Sequence, residues 1–117
     1  MYLPLFGNQT NRTHESRRQN DLTAQLESAG NKLVVIDFFA TWCGPCKMIA
    51  PEIEKMSVAM KDVVVFLKVD VDETDDIAAQ YEITAMPTFV LIKNKVTIEK
   101  FSGASKGKLE ELIAKHK

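Results

Sequence analysis

The 117-residue chain contains two cysteines, three positions apart in the run Trp42-Cys43-Gly44-Pro45-Cys46-Lys47. Such a pair offers a structural disulfide, half of a metal site, or thiol–disulfide exchange. A bond across so short a spacing closes a tiny loop and constrains little of the unfolded chain, so stability is a poor reason for it. A structural zinc wants four ligands, and the remaining candidates, His14 and His116, lie near opposite ends of the chain. No metal site is therefore expected. Exchange needs one thiolate to attack and one thiol to resolve the mixed disulfide. The pair follows a strand-length apolar run and opens a helical pattern. Cys43 then stands where unpaired N–H groups and the helix dipole stabilise a thiolate. Cys46, one turn further in, is shielded and stays a thiol. Cys43 is thus expected to attack as an exposed nucleophile and Cys46 to resolve, with Pro45 stiffening the loop between them.

The elements that position this pair are legible from about residue 21. Asp21 can cap a short helix carrying Leu22, Leu26 and Ala29, which Gly30 would end. Leu33 to Phe39 is a nearly continuous apolar run, as expected of a strand covered on both faces. A helix from about Cys43 to Lys61 follows, with Ile49, Ile53, Met56 and Met60 on one face and Pro51 inside it. Val63 to Val69 is a second buried-type strand, and Asp75 and Asp76 open a short helix with Ile77, Ala78 and Tyr81 inward. Thr88 to Ile92 and Lys95 to Phe101 pair as a hairpin turning at Asn94, although the usual Asn-Gly is replaced by Asn94-Lys95. Ser105 caps a last helix with Leu109, Leu112 and Ile113 inward. This order predicts an α/β fold, a three-layer α/β/α sandwich over a mixed central sheet of four to five strands.

Composition narrows the function classes. The chain is 45% hydrophobic and 26% charged, with a formal net charge of −1, so no global field draws it to nucleic acid or an anionic membrane. No apolar run approaches the length of a spanning helix, and the 5 glycines form no phosphate-binding loop. Residues 1–20 differ from the rest: they are polar, hold Arg12, Arg17 and Arg18 against Glu15, and lack periodicity. They are set apart as an atypical, partly mobile N-terminal segment before a domain over 21–117. Tyr2 to Phe6 is too short and interrupted for a secretion signal, so the acceptor patterns at Asn8 and Asn11 read as chance.

Four motifs recur in a familiar order. They are Val35 to Lys47, Val69-Asp70-Val71-Asp72, Ala85-Met86-Pro87-Thr88-Phe89 and Phe101-Ser102-Gly103-Ala104. From Asp21 onward the chain resembles the thioredoxins, and more closely the cytosolic animal type. The resemblance implies a protein disulfide reductase with no bound cofactor, recharged by thioredoxin reductase at the expense of NADPH. The Gly44-Pro45 spacer matches the reducing members of the family. Asp37 interrupts an apolar strand, where a charge costs several kcal/mol unless neutralised or paired. A frayed or edge-facing position is the alternative. The resemblance makes Asp37 the buried carboxylate that relays a proton to and from Cys46, and desolvation should raise its pKa. It makes Lys68 the companion of Asp37, where a lone strand lysine would otherwise be a solvated edge residue. Trp42 becomes one wall of the client surface. Pro87 becomes a cis proline facing Cys43, with the backbone of Met86 turned out to pair with an extended client. Ala85, Gly103 and Ala104 complete a small, close-approach surface. Tyr81 and Ala85 occupy positions where some animal members carry further cysteines.

The expected partners are thioredoxin reductase and disulfide-bearing proteins, in the cytoplasm rather than the mitochondrion, with no nucleic acid and no membrane. A redox-inactive binding module or a structural subunit is the alternative, but such modules usually lose a cysteine or the cis proline. The family's first strand should be short, displaced or absent here, because residues 13–20 lack apolar alternation and Pro4 would delete a ladder bond. That would leave the Val63–Val69 edge open on an otherwise monomeric protein, as a place for a second chain to pair.

Overall fold

The computed structural model describes residues 2–4 and 15–117. Along the chain run β1 (Tyr2–Pro4), α1 (Glu15–Ala29), β2 (Leu33–Phe39), α2 (Gly44–Ala59), β3 (Val64–Asp70), α3 (Asp75–Gln80), β4 (Thr88–Lys93), β5 (Val96–Ser102) and α4 (Lys106–His116). The strands form one mixed sheet in the order β1-β3-β2-β4-β5. β1 and β2 run parallel to β3, whereas β4 is antiparallel to both β2 and β5.

Strand alternation sorts the core onto two faces. Leu33 and Val35 of β2, Val64 and Phe66 of β3, and Phe89 and Leu91 of β4 pack with Ile49 and Ile53 of α2 and with Leu109 and Ile113 of α4. The intervening residues Val34, Ile36 and Phe38, with Leu67 and Val69, pack on the other face with Leu22 of α1 and Ile77 of α3. Each strand places successive side chains on opposite faces, so Asp37 and Lys68 continue the α2 face one step beyond its apolar core. That alternation brings an acidic and a basic side chain under the start of α2.

One boundary differs from expectation. α1 begins at Glu15 rather than being capped at Asp21, because Glu15 to Asn20 carries no helix breaker and its Glu, Arg and Gln residues favour helix. The first strand is short, as expected: Tyr2, Leu3 and Pro4 stand opposite Phe66, Leu67 and Lys68. The β3 edge is therefore covered over those three positions and not left open along its length. Proline is tolerated there because β1 is the outermost strand. Asn8, Asn11 and His14 lie outside the described residues. The hairpin turn is resolved by Asn94 and Lys95 both taking positive φ, 52° and 67°, the backbone of a type I′ turn without its usual glycine. Gly30 ends α1 at a φ of 59°, and Ser105 caps α4 by accepting from the Lys108 N–H at 3.2 Å.

Between α2 and α4, the Lys106 ammonium lies 3.0 Å from the Glu52 carboxylate, and Lys55 lies 3.8 Å from it. The hydrogen bond and charge of Lys106 hold the Glu52 carboxyl below its ordinary value of 4.5. A depressed carboxyl contributes stability that is present above its ordinary value and is lost as pH falls through the lower folded value. In Glu52→Gln, urea stability should therefore fall less between pH 6 and pH 3 than in the parent, by a small amount that shrinks with salt. An identical acid limb in parent and variant would rule this linkage out.

Candidate functional site

Cys43 and Cys46 are joined as a disulfide across the first turn of α2. Cys43 is the N-cap: its backbone is extended, its N–H donates to the Ala40 carbonyl, and its carbonyl accepts from the Lys47 N–H. The Cys46 N–H points at Cys43 Sγ from 3.2 Å. In the reduced protein the same N–H would hold a Cys43 thiolate, the anion a helix N-terminus favours.

Exposure does not separate the cysteines as the spacing suggested. Each is only 5% exposed, so Cys43 is not an exposed nucleophile in this disulfide form. Their surroundings differ instead. Cys43 is flanked by Trp42, Gly44 and Pro45, all exposed, and its sulfur lies 3.7 Å from the Met86 carbonyl oxygen. Cys46 lines a cleft of about 250 Å³ together with Asp37, Phe39, Ala40 and Lys68. One sulfur faces the surface loop, the other the interior cleft.

Asp37 is 4% exposed and lies in the centre of the sheet, opposite Lys68 on β3 and Phe89 on β4. An edge-facing position is thereby excluded. Lys68 lies on β3 between β1 and β2, half-buried, with its ammonium 5.9 Å from the Phe39 ring centroid. Trp42 is 66% exposed, and its indole N–H donates to Asp72 Oδ2 at 2.8 Å. Asp72 is itself placed by its N–H, which donates to Asp70 Oδ1 at 2.9 Å.

On the other side of the sulfurs, the Met86–Pro87 peptide is cis, with Pro87 buried and Ala85 exposed. The Gly103 N–H donates to the Pro87 carbonyl at 2.9 Å, which brings Gly103-Ala104 alongside that loop. Gly103 takes a φ of 109°, a conformation that suits glycine. Three separate stretches thus meet at one end of the sheet: the start of α2, the α3–β4 loop and the β5–α4 loop. Every residue expected in the redox pair, its supporting charges or the client surface falls within or directly behind this cluster. Sequence reasoning missed Asp72, Thr88 and Ser102 as supports, although all three lie within the quoted motifs. Among the described residues, no group of three or more His, Cys, Asp or Glu could hold a metal ion.

The thioredoxin family model matches residues 10–115. The chain belongs to the thioredoxin family. Its relatives include thioredoxin-T of Drosophila melanogaster, 50% identical over 100 residues that make up 86% of this chain and 64% of that protein. The thioredoxin of Ophiophagus hannah is 50% identical over 99 residues, or 82% of this chain and 93% of that one. Among solved structures, Fasciola hepatica thioredoxin superposes with a TM-score of 0.82 at 46% identity, covering 85% of this chain and 94% of its own. With the cysteine pair in place at the helix start, this thioredoxin-family chain is a thiol–disulfide oxidoreductase.

Proposed function

We propose that the chain reduces disulfides in other proteins and is recharged by thioredoxin reductase with electrons from NADPH. The observation that carries this reading is the Cys43–Cys46 disulfide at the α2 N-terminus, with Asp37 and Cys46 lining one cleft. In the reduced form the Cys43 thiolate attacks one sulfur of a client disulfide, and the other client sulfur leaves as a thiolate. Asp37 takes the proton from Cys46, whose thiolate attacks Cys43 Sγ and expels the second client thiolate. Two electrons have passed to the client, and the pair is left as the disulfide seen here. Lys68, on the same sheet face and opposite Asp37, supplies a positive charge beside the carboxylate.

Clients are bound across Trp42, Gly44, Pro45, Ala85, Met86, Gly103 and Ala104, with the main chain of Met86 pairing with an extended client strand. The reaction calls for no bound cofactor. The protein works as a monomer in the cytoplasm. No helix among the described residues is long and apolar enough to cross a membrane.

Disulfide reduction of insulin, driven by NADPH and thioredoxin reductase, tests this reading; failure of the reduced protein to turn insulin over would overturn it. The relay makes a second prediction. Asp37→Ala should slow insulin reduction roughly 100-fold near neutral pH, the low end of the usual range for a lost general base. The deficit should narrow as pH rises and water or hydroxide deprotonates Cys46 directly. Equal rates for parent and variant across pH 6 to 9 would sink the relay.

A further inference from the structure

The end of α3 receives a donor from across the sheet. Lys100, on β5 opposite Val90, directs its ammonium to the Tyr81 carbonyl at 2.8 Å and the Glu82 carbonyl at 3.1 Å. The carbonyls of Ile77, Ala78 and Ala79 already accept from the Tyr81, Ile83 and Glu82 N–H groups. Those of Tyr81 and Glu82 lie past the last helical turn, where a cation is also favoured by the helix dipole. Glu82 adopts a φ of 56°, which residues other than glycine rarely take without support. The two hydrogen bonds from Lys100 fasten this turn on both sides of that strained residue.

Only Ile83, Thr84 and Ala85 separate the fastened turn from Met86. The far end of the same loop is tied to β5 as well. Thr88 Oγ1–H donates to the Ala85 carbonyl at 2.6 Å and accepts from Ser102 Oγ–H at 2.8 Å. The loop facing Cys43 is thus gripped at both ends by one strand, and Lys100 is the grip at the α3 end.

We infer that Lys100 is a positioning residue for client recognition: by fastening the turn that leaves α3, it sets where the Met86 main chain lies relative to Cys43. The inference rests on the reading that clients pair with the Met86 main chain, and the experiment separates the two. Two extended disulfide-linked peptides are compared as substrates of the reduced full-length protein. They differ only in methylation of the main-chain N–H groups flanking the cysteine. The unaltered protein should reduce the unmethylated peptide about 10-fold faster, the scale of a hydrogen bond or two. In Lys100→Met, which keeps the apolar stem and removes the donors, that preference should drop about 3-fold, and Lys100→Arg should restore it. A merely structural loss would lower both rates in step and leave the preference as it was. An unchanged preference in Lys100→Met therefore overturns the inference, whereas no preference in the unaltered protein overturns the reading of Met86 beneath it.

Discussion

Cys43→Ser is expected to lower insulin reduction by more than about 100-fold and to leave no mixed disulfide with any client. Cys46→Ser should be equally slow in turnover, yet it should accumulate Cys43–client mixed disulfides that survive on a non-reducing gel. The contrast follows from the geometry. Cys43 is the N-cap of α2 and receives the Cys46 N–H at 3.2 Å, so its thiolate is the one the fold stabilises. Its sulfur also faces the Met86 loop, on the side a client would approach, whereas Cys46 lines the inner cleft. Serine keeps the size of the side chain but cannot form a disulfide, so the two variants stop the cycle at different points. Differential alkylation of the reduced parent supplies an independent check. Faster labelling of Cys46 than of Cys43 at neutral pH would reverse the assignment.

The largest expected loss of stability comes from Phe89→Ala. Phe89 is fully buried in β4, opposite Asp37 on β2 and Phe101 on β5, and its ring centroid lies 5.2 Å from that of Phe101. It packs in the core shared with α2 and α4. Truncating a buried phenylalanine removes its transfer energy and leaves a cavity, which together cost about 3–5 kcal/mol. A domain of this size holds only about 5–15 kcal/mol in total. Urea unfolding should show a large drop in midpoint with little change in slope. A loss below about 1 kcal/mol would mean that the core collapses around the missing ring and that Phe89 is not central to it.

Much of this architecture could be read from residue order, because the signals concerned are local. The apolar run Leu33 to Phe39 gave a covered strand, and its single interruption at Asp37 drew attention to a carboxylate that proves to be 4% exposed. The inward residues of α2 and α4 were likewise visible as helical stripes. Where reading fell short, the cause is non-local or involves backbone conformation. Nothing in the run Glu15 to Asn20 shows an apolar face, so propensity was the only sign that α1 starts six residues before Asp21. Tyr2 to Pro4 becomes a strand only because the β3 edge is there to receive it. Asp72 meets Trp42 across 30 positions of sequence, and Ser102 meets Thr88 across 14. The cysteines' equal burial depends on the packing of Ala40, Phe39, Val71 and Met86 around them, which spacing alone does not encode.

The tight turn at Asn94-Lys95 gives the molecule a division of labour between its two ends. The hairpin tip adjoins the end of α1, where the Lys95 ammonium lies 2.7 Å from the Glu27 carboxylate. Because β4 starts beside Cys43 and ends at this tip, the whole length of a strand separates the tip from the reacting sulfurs. Lengthening a surface loop costs little, about 0.6 kcal/mol for each doubling. The tip is therefore the natural site for grafted peptides, epitope tags or evolutionary insertions, while the redox end stays under constraint from three converging loops. Variation and catalysis can be tuned at opposite poles of the same sheet.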